Sequence, residues 1–161
     1  MGEFTNANFL EFDKTKKYDC VCSFGFVEHF DGWKDVLRKH ALLVGEGGVI
    51  AVTTPNFRGA IQRWLHQLLD VENLRRHNIA SMNPFLWADL LKELGFDVID
   101  ARYFGRFDFW VEKQKRNVLQ NAARFVIRVL TPVLKLLPGD NGLYSPYCGV
   151  VARRPPRKPV S

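Results

Sequence analysis

Two short apolar segments that enclose one amphipathic stretch constrain this chain more than any other feature. Residues Tyr18–Phe24 (YDCVCSF) and Val49–Thr54 (VIAVTT) are apolar, rich in strand-forming residues, and typical of strands covered on both faces. Between them, apolar residues recur at helical spacing from position 33 to position 43, after Asp31, whose residue type caps helices. The sequence GEGG at 45–48 ends that helix. A strand, a helix and a second buried strand predict an α/β fold with a parallel sheet.

The rest of the chain continues the alternation of helices and strands. Helices are predicted over residues 58–69 and 84–94, the second with Pro84 at its start and Gly95 just past its end. Residues 70–83 are polar, and we expect them to be irregular. The remaining predictions are a third strand over 96–103, a long helix around 112–137, a last, antiparallel strand over 147–152 and a disordered basic tail over 153–161. One domain, residues 1–152, would hold the whole sheet.

The net charge of +6 is concentrated in two places. Residues 113–137 hold six cations and no acid, and the tail from 153 holds four more. Without those ten cations, 13 remain against 17 acids, so we expect no nucleic-acid partner. The three cysteines lack metal-ligand spacing, and no apolar run reaches the roughly 20 residues that span a bilayer. We therefore expect a cytoplasmic protein, peripheral to a membrane at most.

The basic segment 113–137 predicts an amphipathic helical insertion with two interpretations. Arg124, Arg128 and Lys135 lie on one side, and Pro132 would kink the helix. An apolar stripe covers the other side, formed by Val118, Leu119, Ala122, Ala123, Val126, Val129, Leu130, Val133, Leu134 and Leu137. The stripe either packs on the sheet as an intramolecular lid over an apolar substrate or lies on an anionic membrane surface.

Three stretches resemble class I S-adenosylmethionine-dependent methyltransferases. The sequence SFGFVEHF after the first predicted strand matches that family's (S/C)xxxxEH(F/V) pattern, VIAVTTPN matches its strand ending in Pro-Asn, and LGFDVIDARYFG matches its sixth strand. The similarity covers roughly residues 5–105 and, more loosely, 147–152. It implies a partial Rossmann-like methyltransferase sheet, S-adenosylmethionine as the cofactor, and methyl transfer to oxygen, nitrogen or carbon.

The resemblance covers the second half of the family's domain. In the family, a first strand, a Gly-rich loop and an acidic residue that binds the ribose precede the part that this sequence matches. We therefore expect an incomplete methyltransferase domain, the C-terminal portion of a larger enzyme, with a half-built donor pocket. The family's first strand borders the strand that corresponds to Tyr18–Phe24. An unpaired edge there would favour a homodimer.

The resemblance also assigns roles to single residues. Asn8 stands where an aspartate meets the adenine amino group, and Phe9 where a side chain packs on the ring. His29 would be a general base, since an imidazole with an ordinary pKa near ~6.5 accepts a hydroxyl proton, although a structural role in the loop fits equally well. Taken together, the predicted residues are Asn8, Phe9, Ser23, Phe24 and Gly25 for the cofactor, Glu28 and His29 for catalysis, and Asn56, Phe57, Arg58 and His77 for the substrate.

We expect no metal and a small-molecule acceptor. Metal-binding relatives carry a further glutamate three residues before this Glu, a position that Gly25 occupies here. The aromatic residues between 103 and 110 either line an apolar pocket or belong to the core. The main hypothesis is methyl transfer to a small, apolar or lipid-like acceptor. The alternative is a non-catalytic interaction or membrane-surface module with the shape of half a methyltransferase.

Overall fold

A computed structural model describes residues 5–12, 15–112 and 115–157 of the chain. Within these residues the protein is α/β, with one four-stranded sheet in the order β1-β2-β4-β3. The strands are β1 (Tyr18–Phe24), β2 (Val44–Pro55), β3 (Asp97–Phe104) and β4 (Tyr147–Arg153). The helices are α1 (Trp33–Leu43), α2 (Ala60–Leu69), α3 (Val71–Arg75), α4 (Pro84–Glu93) and α5 (Val118–Leu134). Two single 3-10 turns cover Val27–His29 and Ile79–Ser81.

The direction of the strands confirms the predicted sheet. β1 and β2 pair in parallel, with Cys20 opposite Val49 and Phe24 opposite Thr53, and α1 forms the crossover between them. β4 runs antiparallel to both of its neighbours, β2 and β3. The carboxyl ends of β1 and β2 therefore meet at one edge of the sheet, where ligands bind in open α/β folds.

The main core lies where α1 and α4 pack against the sheet. Leu37 of α1, Ile50 of β2, and Trp87 and Leu91 of α4 are all fully buried in one continuous cluster. α4 begins as its sequence predicts, because the Asn83 side chain accepts a hydrogen bond from the Phe85 backbone and Pro84 needs no partner for its nitrogen. The helix ends before Gly95, which has a φ of +81°. This layer fixes the sheet that carries the candidate site.

Besides the long helix, which spans Val118–Leu134 and not 112–137, four local predictions differ from the structure. The GEGG segment at 45–48 lies inside β2 and is not a turn before it. The first helix has Gly32, not Asp31, at its N-cap position, and no side chain caps it. Residues 70–83 are ordered into α3 and the second 3-10 turn, which Asn78 caps by accepting a hydrogen bond from the Ser81 backbone. The tail does not start at Arg153, which closes β4, and the Arg154 backbone bonds Gly48. Residues 158–161 lie outside the described residues.

The long basic helix does not pack its apolar stripe on the sheet. None of the residues of α5 is buried, and Val118 is 86% exposed. The helix instead contacts the protein through its half-buried side, which includes Ile127 and Thr131, while Val126, Val129 and Val133 face outwards. Within the described residues, no helix is both long and apolar enough to span a bilayer.

Candidate functional site

The loop after β1 turns sharply and directs the next side chains over the sheet edge. Gly25 has a φ of +60°, a conformation that L side chains rarely adopt, and its N–H donates to Thr53 O at 2.9 Å. This bond ties the loop to the end of β2. The 3-10 turn that follows places Glu28 inward and His29 outward. The loop therefore presents one buried and one exposed titratable group at the carboxyl end of the sheet.

Glu28 is a buried acid whose carboxylate has no hydrogen-bond partner among the described residues. The residue is 1% exposed, and neither Oε1 nor Oε2 is bonded. Burial raises the pKa of this carboxyl, because the charged form loses its hydration. The backbone carbonyl of Glu28 is used, since it accepts from the Asn78 N–H at 2.7 Å. That bond brings the loop of residues 76–83 against the loop after β1.

His77 reaches the same place from the loop that follows α3. Its ring centroid lies 4.5 Å from that of His29, and the Glu28, His29 and His77 ligand atoms all lie within 4.8 Å of one another. His77 Nδ1 donates to Asn73 O at 2.6 Å, which leaves Nε2 with a free lone pair. Burial lowers the pKa of His77 and keeps its ring neutral. The structure thus brings three of the predicted site residues together.

Three of the five predicted cofactor residues lie at β1, the edge strand of the described sheet, and Asn8 and Gly25 do not line the cavity there. A cavity of about 500 Å³ there is lined by Phe9, Ser23 and Phe24, among others. The buried Ser23 Oγ has no partner among the described residues, and Phe24 is 69% exposed. Phe9 stacks on His40 with centroids 4.2 Å apart. Asn8 is not part of the lining, and its amide bonds Glu11 instead.

The predicted substrate residues after β2 separate into two kinds. Asn56 is fully buried, and its amide nitrogen donates to Gly142 O at 3.1 Å and to Ser145 O at 3.0 Å. Phe57 is also buried, with its ring edge towards His77 at 5.1 Å. Arg58 is exposed. Asn56 and Phe57 are therefore buried residues that support the neighbouring loops, and Arg58 lies on the surface.

A buried polar network under Phe57 was not predicted. His66 is fully buried, its ring lies 4.1 Å from that of Phe57, and its Nδ1 lies 3.5 Å from Asp70 Oδ2. Asp70 also accepts from Asn73 and from the Glu112 N–H. The i, i+4 spacing of His66 and Asp70 at the end of α2 was the available signal. It becomes informative only once both side chains are known to be buried.

A second cavity, of about 520 Å³, lies between α5 and the segment that follows β3. Trp110 lines it and stacks on Tyr147 with centroids 5.4 Å apart, while Phe107 is buried. Arg124 and Arg128 line the facing side. This cavity combines an aromatic wall with three cations, the third being Lys135, which pairs with Asp108 in the same lining. Such a lining suits an apolar ligand with an anionic group.

Comparisons with known proteins extend these observations. Residues 3–101 match a family model described as a methyltransferase domain. A solved S-adenosylmethionine-dependent methyltransferase from Archaeoglobus fulgidus aligns with a TM-score of 0.57 and 21% identity, over 92% of this chain and 66% of that one. This similarity supports the same fold. No curated protein matches the sequence.

Two further solved structures are similar at a lower level. A putative methyltransferase from Bacillus halodurans aligns with a TM-score of 0.47 and 14% identity, over 87% of this chain and 65% of that one. A putative sarcosine dimethylglycine methyltransferase from Galdieria sulphuraria gives a TM-score of 0.49 and 18% identity, over 92% and 58%. The chain spans about two thirds or less of the length of each solved structure named here.

Proposed function

Because the chain belongs to this methyltransferase-domain family, we propose that it takes part in methyl transfer from S-adenosylmethionine to a small, apolar or lipid-like acceptor. One observation carries the proposal: the family match over residues 3–101 includes every residue predicted to serve cofactor, catalysis or substrate. The sulfonium of the donor is already activated. The protein has chiefly to align donor and acceptor and to exclude water.

The cavity along β1 supports a place for the donor. Ser23 offers a buried hydroxyl without a partner, and Phe9 offers a ring beside it. The cavity is bounded by strand β1 at the edge of the described sheet. In our proposal this chain supplies part of the donor pocket, and the rest comes from a larger enzyme.

The loops at the carboxyl end of the sheet support a place for the acceptor. His29 is exposed beside the buried Glu28, so an acceptor hydroxyl can reach its ring. In this proposal His29 accepts the proton of the acceptor hydroxyl, and the buried Glu28 lies beside it in the same 3-10 turn. General-base catalysis of this kind contributes about 10²- to 10⁴-fold to a rate.

The cavity under α5 supports an apolar acceptor with an anionic group. Trp110 and Ile127 offer apolar contact, and Arg124 and Arg128 offer charge. Trp110 also lies 6.3 Å from Phe57, centroid to centroid, which connects this cavity to the aromatic residues beneath the site. An amphiphile bound along this path would have its chain against α5 and its reactive end near His29.

Nuclear magnetic resonance tests the donor part of the proposal. Titration of the chain with S-adenosylmethionine should shift the amide signals of Ser23, Phe24 and Gly25 at millimolar concentration, because the pocket is only partly built. S-adenosylhomocysteine should shift the same signals, and GTP should not. An absence of shifts at these residues would show that the donor does not bind there. Micromolar affinity would contradict our claim that this chain forms only part of the donor pocket.

Methyl transfer itself is measured with S-adenosylmethionine labelled in the methyl group and apolar hydroxyl acceptors in anionic vesicles. We expect His29→Gln to lower the rate by about 10²-fold or more. Glu72→Gln, an exposed acid on α3, is the control and should leave the rate unchanged. Equal rates for His29→Gln and the parent chain would show that His29 is not a catalytic residue.

The second candidate function is a non-catalytic membrane-surface module. The exposed apolar stripe of α5 favours it, together with Trp64 of α2, which is 62% exposed. Such a module would bind anionic vesicles but show no amide shifts with S-adenosylmethionine. The two titrations together therefore separate the two functions.

A further inference from the structure

The carboxylate of Glu28 is an unusual group to leave without a partner. It is 1% exposed, and both of its oxygens lack hydrogen bonds within the described residues. A buried ionised carboxylate is unfavourable unless it is paired, hydrogen-bonded or bound to a metal. No lysine or arginine forms an ion pair with it among the described residues. Among the described residues, the carboxylate therefore has neither a hydrogen-bond partner nor a positively charged side chain to balance it.

Two imidazoles complete a ligand set around that carboxylate. The nearest ligand atoms of Glu28, His29 and His77 lie within 4.8 Å of one another. His77 donates its Nδ1 proton to Asn73 O at 2.6 Å, which fixes the tautomer with Nε2 as the lone-pair donor. Metal-bound histidines characteristically make such a bond with the nitrogen that faces away from the ion.

We infer that Glu28, His29 and His77 form a site for a divalent transition-metal ion of the zinc class. Two histidines and one carboxylate are an established ligand set for zinc sites that keep a fourth position open. Ligand atoms about 2.0–2.1 Å from one tetrahedral ion lie about 3.4 Å apart, so the three groups, now within 4.8 Å of one another, have to approach by up to about 1.5 Å. The exposed His29 side chain has the freedom to make that movement.

The backbone around the cluster is already arranged for such a site. The Asn78 N–H bond to Glu28 O at 2.7 Å and the Asn78 amide bond to Phe30 O at 3.3 Å join the two loops that supply the ligands. Gly25 places no side chain against the carboxylate, since a Cβ there would lie 3.6 Å from Glu28 Oε1. An incoming ion or its bound water therefore meets no side chain from position 25.

The sequence predicted no metal because Gly25 occupies the position where metal-binding relatives carry a further glutamate. The third ligand, His77, lies 48 positions beyond His29 and joins Glu28 and His29 only in the folded loops. With an ion bound, His29 serves as a ligand, and the ion instead lowers the pKa of a hydroxyl in the open position. The inference goes beyond the proposed methyl transfer and is tested without donor or acceptor.

Cobalt absorption spectroscopy tests the site, with Co²⁺ as the probe. The background carries Cys20→Ser and Cys22→Ser, because these exposed thiols lie 3.5 Å apart and would bind Co²⁺ themselves. We expect one Co²⁺ per chain, with visible absorption typical of four-coordinate nitrogen and oxygen ligands, and displacement by Zn²⁺. Absence of binding, or spectra of the six-coordinate aqueous ion, would overturn the inference.

Two ligand variants and two controls locate the ion. Glu28→Gln and His77→Gln should each weaken Co²⁺ binding by at least about 100-fold. Loss of a residue that only hydrogen-bonds to a ligand typically costs about 10- to 100-fold, so a larger loss identifies a ligand. Glu72→Gln on α3 and His40→Gln on α1 remove the same residue types elsewhere and should leave the affinity unchanged. Unchanged affinity in Glu28→Gln, or equal losses in the controls, would contradict the site.

Thermal unfolding shows whether a variant that binds Co²⁺ weakly is still folded. Glu28→Gln keeps the side-chain size and removes a buried charge, so we expect it to fold. Zn²⁺ should raise the melting temperature of the background protein, because it binds the folded state, and should not raise that of Glu28→Gln. Equal Zn²⁺-dependent shifts in the two proteins would also overturn the inference.

Discussion

At the scale of single residues, the buried polar side chains hold the candidate site in place. Asn56 uses both amide protons on Gly142 O and Ser145 O, and its Oδ1 accepts from the Gly59 N–H at 3.0 Å. It thereby joins the end of β2, the start of α2 and the loop before β4. Its position directly after a strand suggested substrate contact, whereas its contacts in the structure are with the backbone.

Replacing Asn56 with alanine should lower the free energy of unfolding by about 3 kcal/mol. Three hydrogen bonds are lost, and buried backbone groups are left without partners. Urea unfolding measures the change. Asn121→Ala, at an exposed position on α5, should change stability by less than about 0.5 kcal/mol and is the control. Similar losses in the two variants would contradict the role of Asn56.

His66 makes stability depend on pH in a defined direction. Burial lowers the pKa of its imidazole to about 4, whereas an unfolded chain restores the ordinary value near ~6.5. The unfolded state therefore binds more protons between these values. The contribution of His66 to the free energy of unfolding should fall as the pH drops from about 6.5 to about 4, by up to about 3 kcal/mol, and stay level above that window.

The measurement compares urea unfolding of the parent chain and His66→Gln at pH 7, 6 and 5. The variant should lose most of this pH dependence, because glutamine does not titrate. Glu28, whose carboxyl pKa is raised, contributes in the opposite direction and does so equally in both proteins. Parallel pH curves for the two proteins would show that His66 is not the titrating group.

At the scale of elements, α5 is the helix whose surroundings differ most from those of the others. Asn117 and Gln120 form a capping box at its start, and Gln120 also donates to Leu68 O of α2 at 3.0 Å. Lys135 pairs with Asp108 at its other end. The helix is thus attached at its ends and along a narrow side, with its apolar stripe outside. Apolar exposure of this extent favours a membrane or protein surface as partner.

We expect Arg128→Glu to weaken binding to anionic vesicles by about 10-fold or more, since each basic residue near such a surface contributes about 1 kcal/mol and the charge changes by two. Val133→Asp should also weaken it through loss of apolar contact. Vesicle co-sedimentation measures both. Lys92→Glu, an exposed charge change on α4, is the control. Equal binding by the parent chain and the three variants would show that α5 does not contact the membrane.

At the scale of the whole molecule, β1 is an edge strand of the sheet that the described residues form. Tyr18, Cys20, Cys22 and Phe24 of this strand are exposed. Edge strands with apolar side chains pair readily with other strands. We therefore propose that this edge pairs with a second copy of the chain.

Light scattering tests this pairing. The parent chain should have the mass of a dimer, and Cys22→Lys should shift it towards the monomer, because a charge on an edge strand opposes pairing. Arg63→Glu on the exposed surface of α2 is the control and should remain dimeric. A monomeric parent chain would contradict the proposal.

Local sequence patterns were enough to predict the strand directions and most of the helices. Tyr18–Phe24 is bounded as predicted, and the α4 helix begins at Pro84 and stops before Gly95, because apolar periodicity and capping are local properties of the chain. The direction of β4 and the family were also predictable, the family from the residues around Glu28 and His29. These features depend on neighbours within a few positions or on a motif.

The tertiary structure alone decided which distant side chains share one environment. His77 joins Glu28, His66 lies buried against Phe57, and the apolar stripe of α5 faces outwards instead of onto the sheet. Burial and contact between residues far apart in sequence follow from how the elements pack, and an amphipathic pattern has the same form whichever partner covers it. For this reason the polarity of α5 was predictable and its orientation was not.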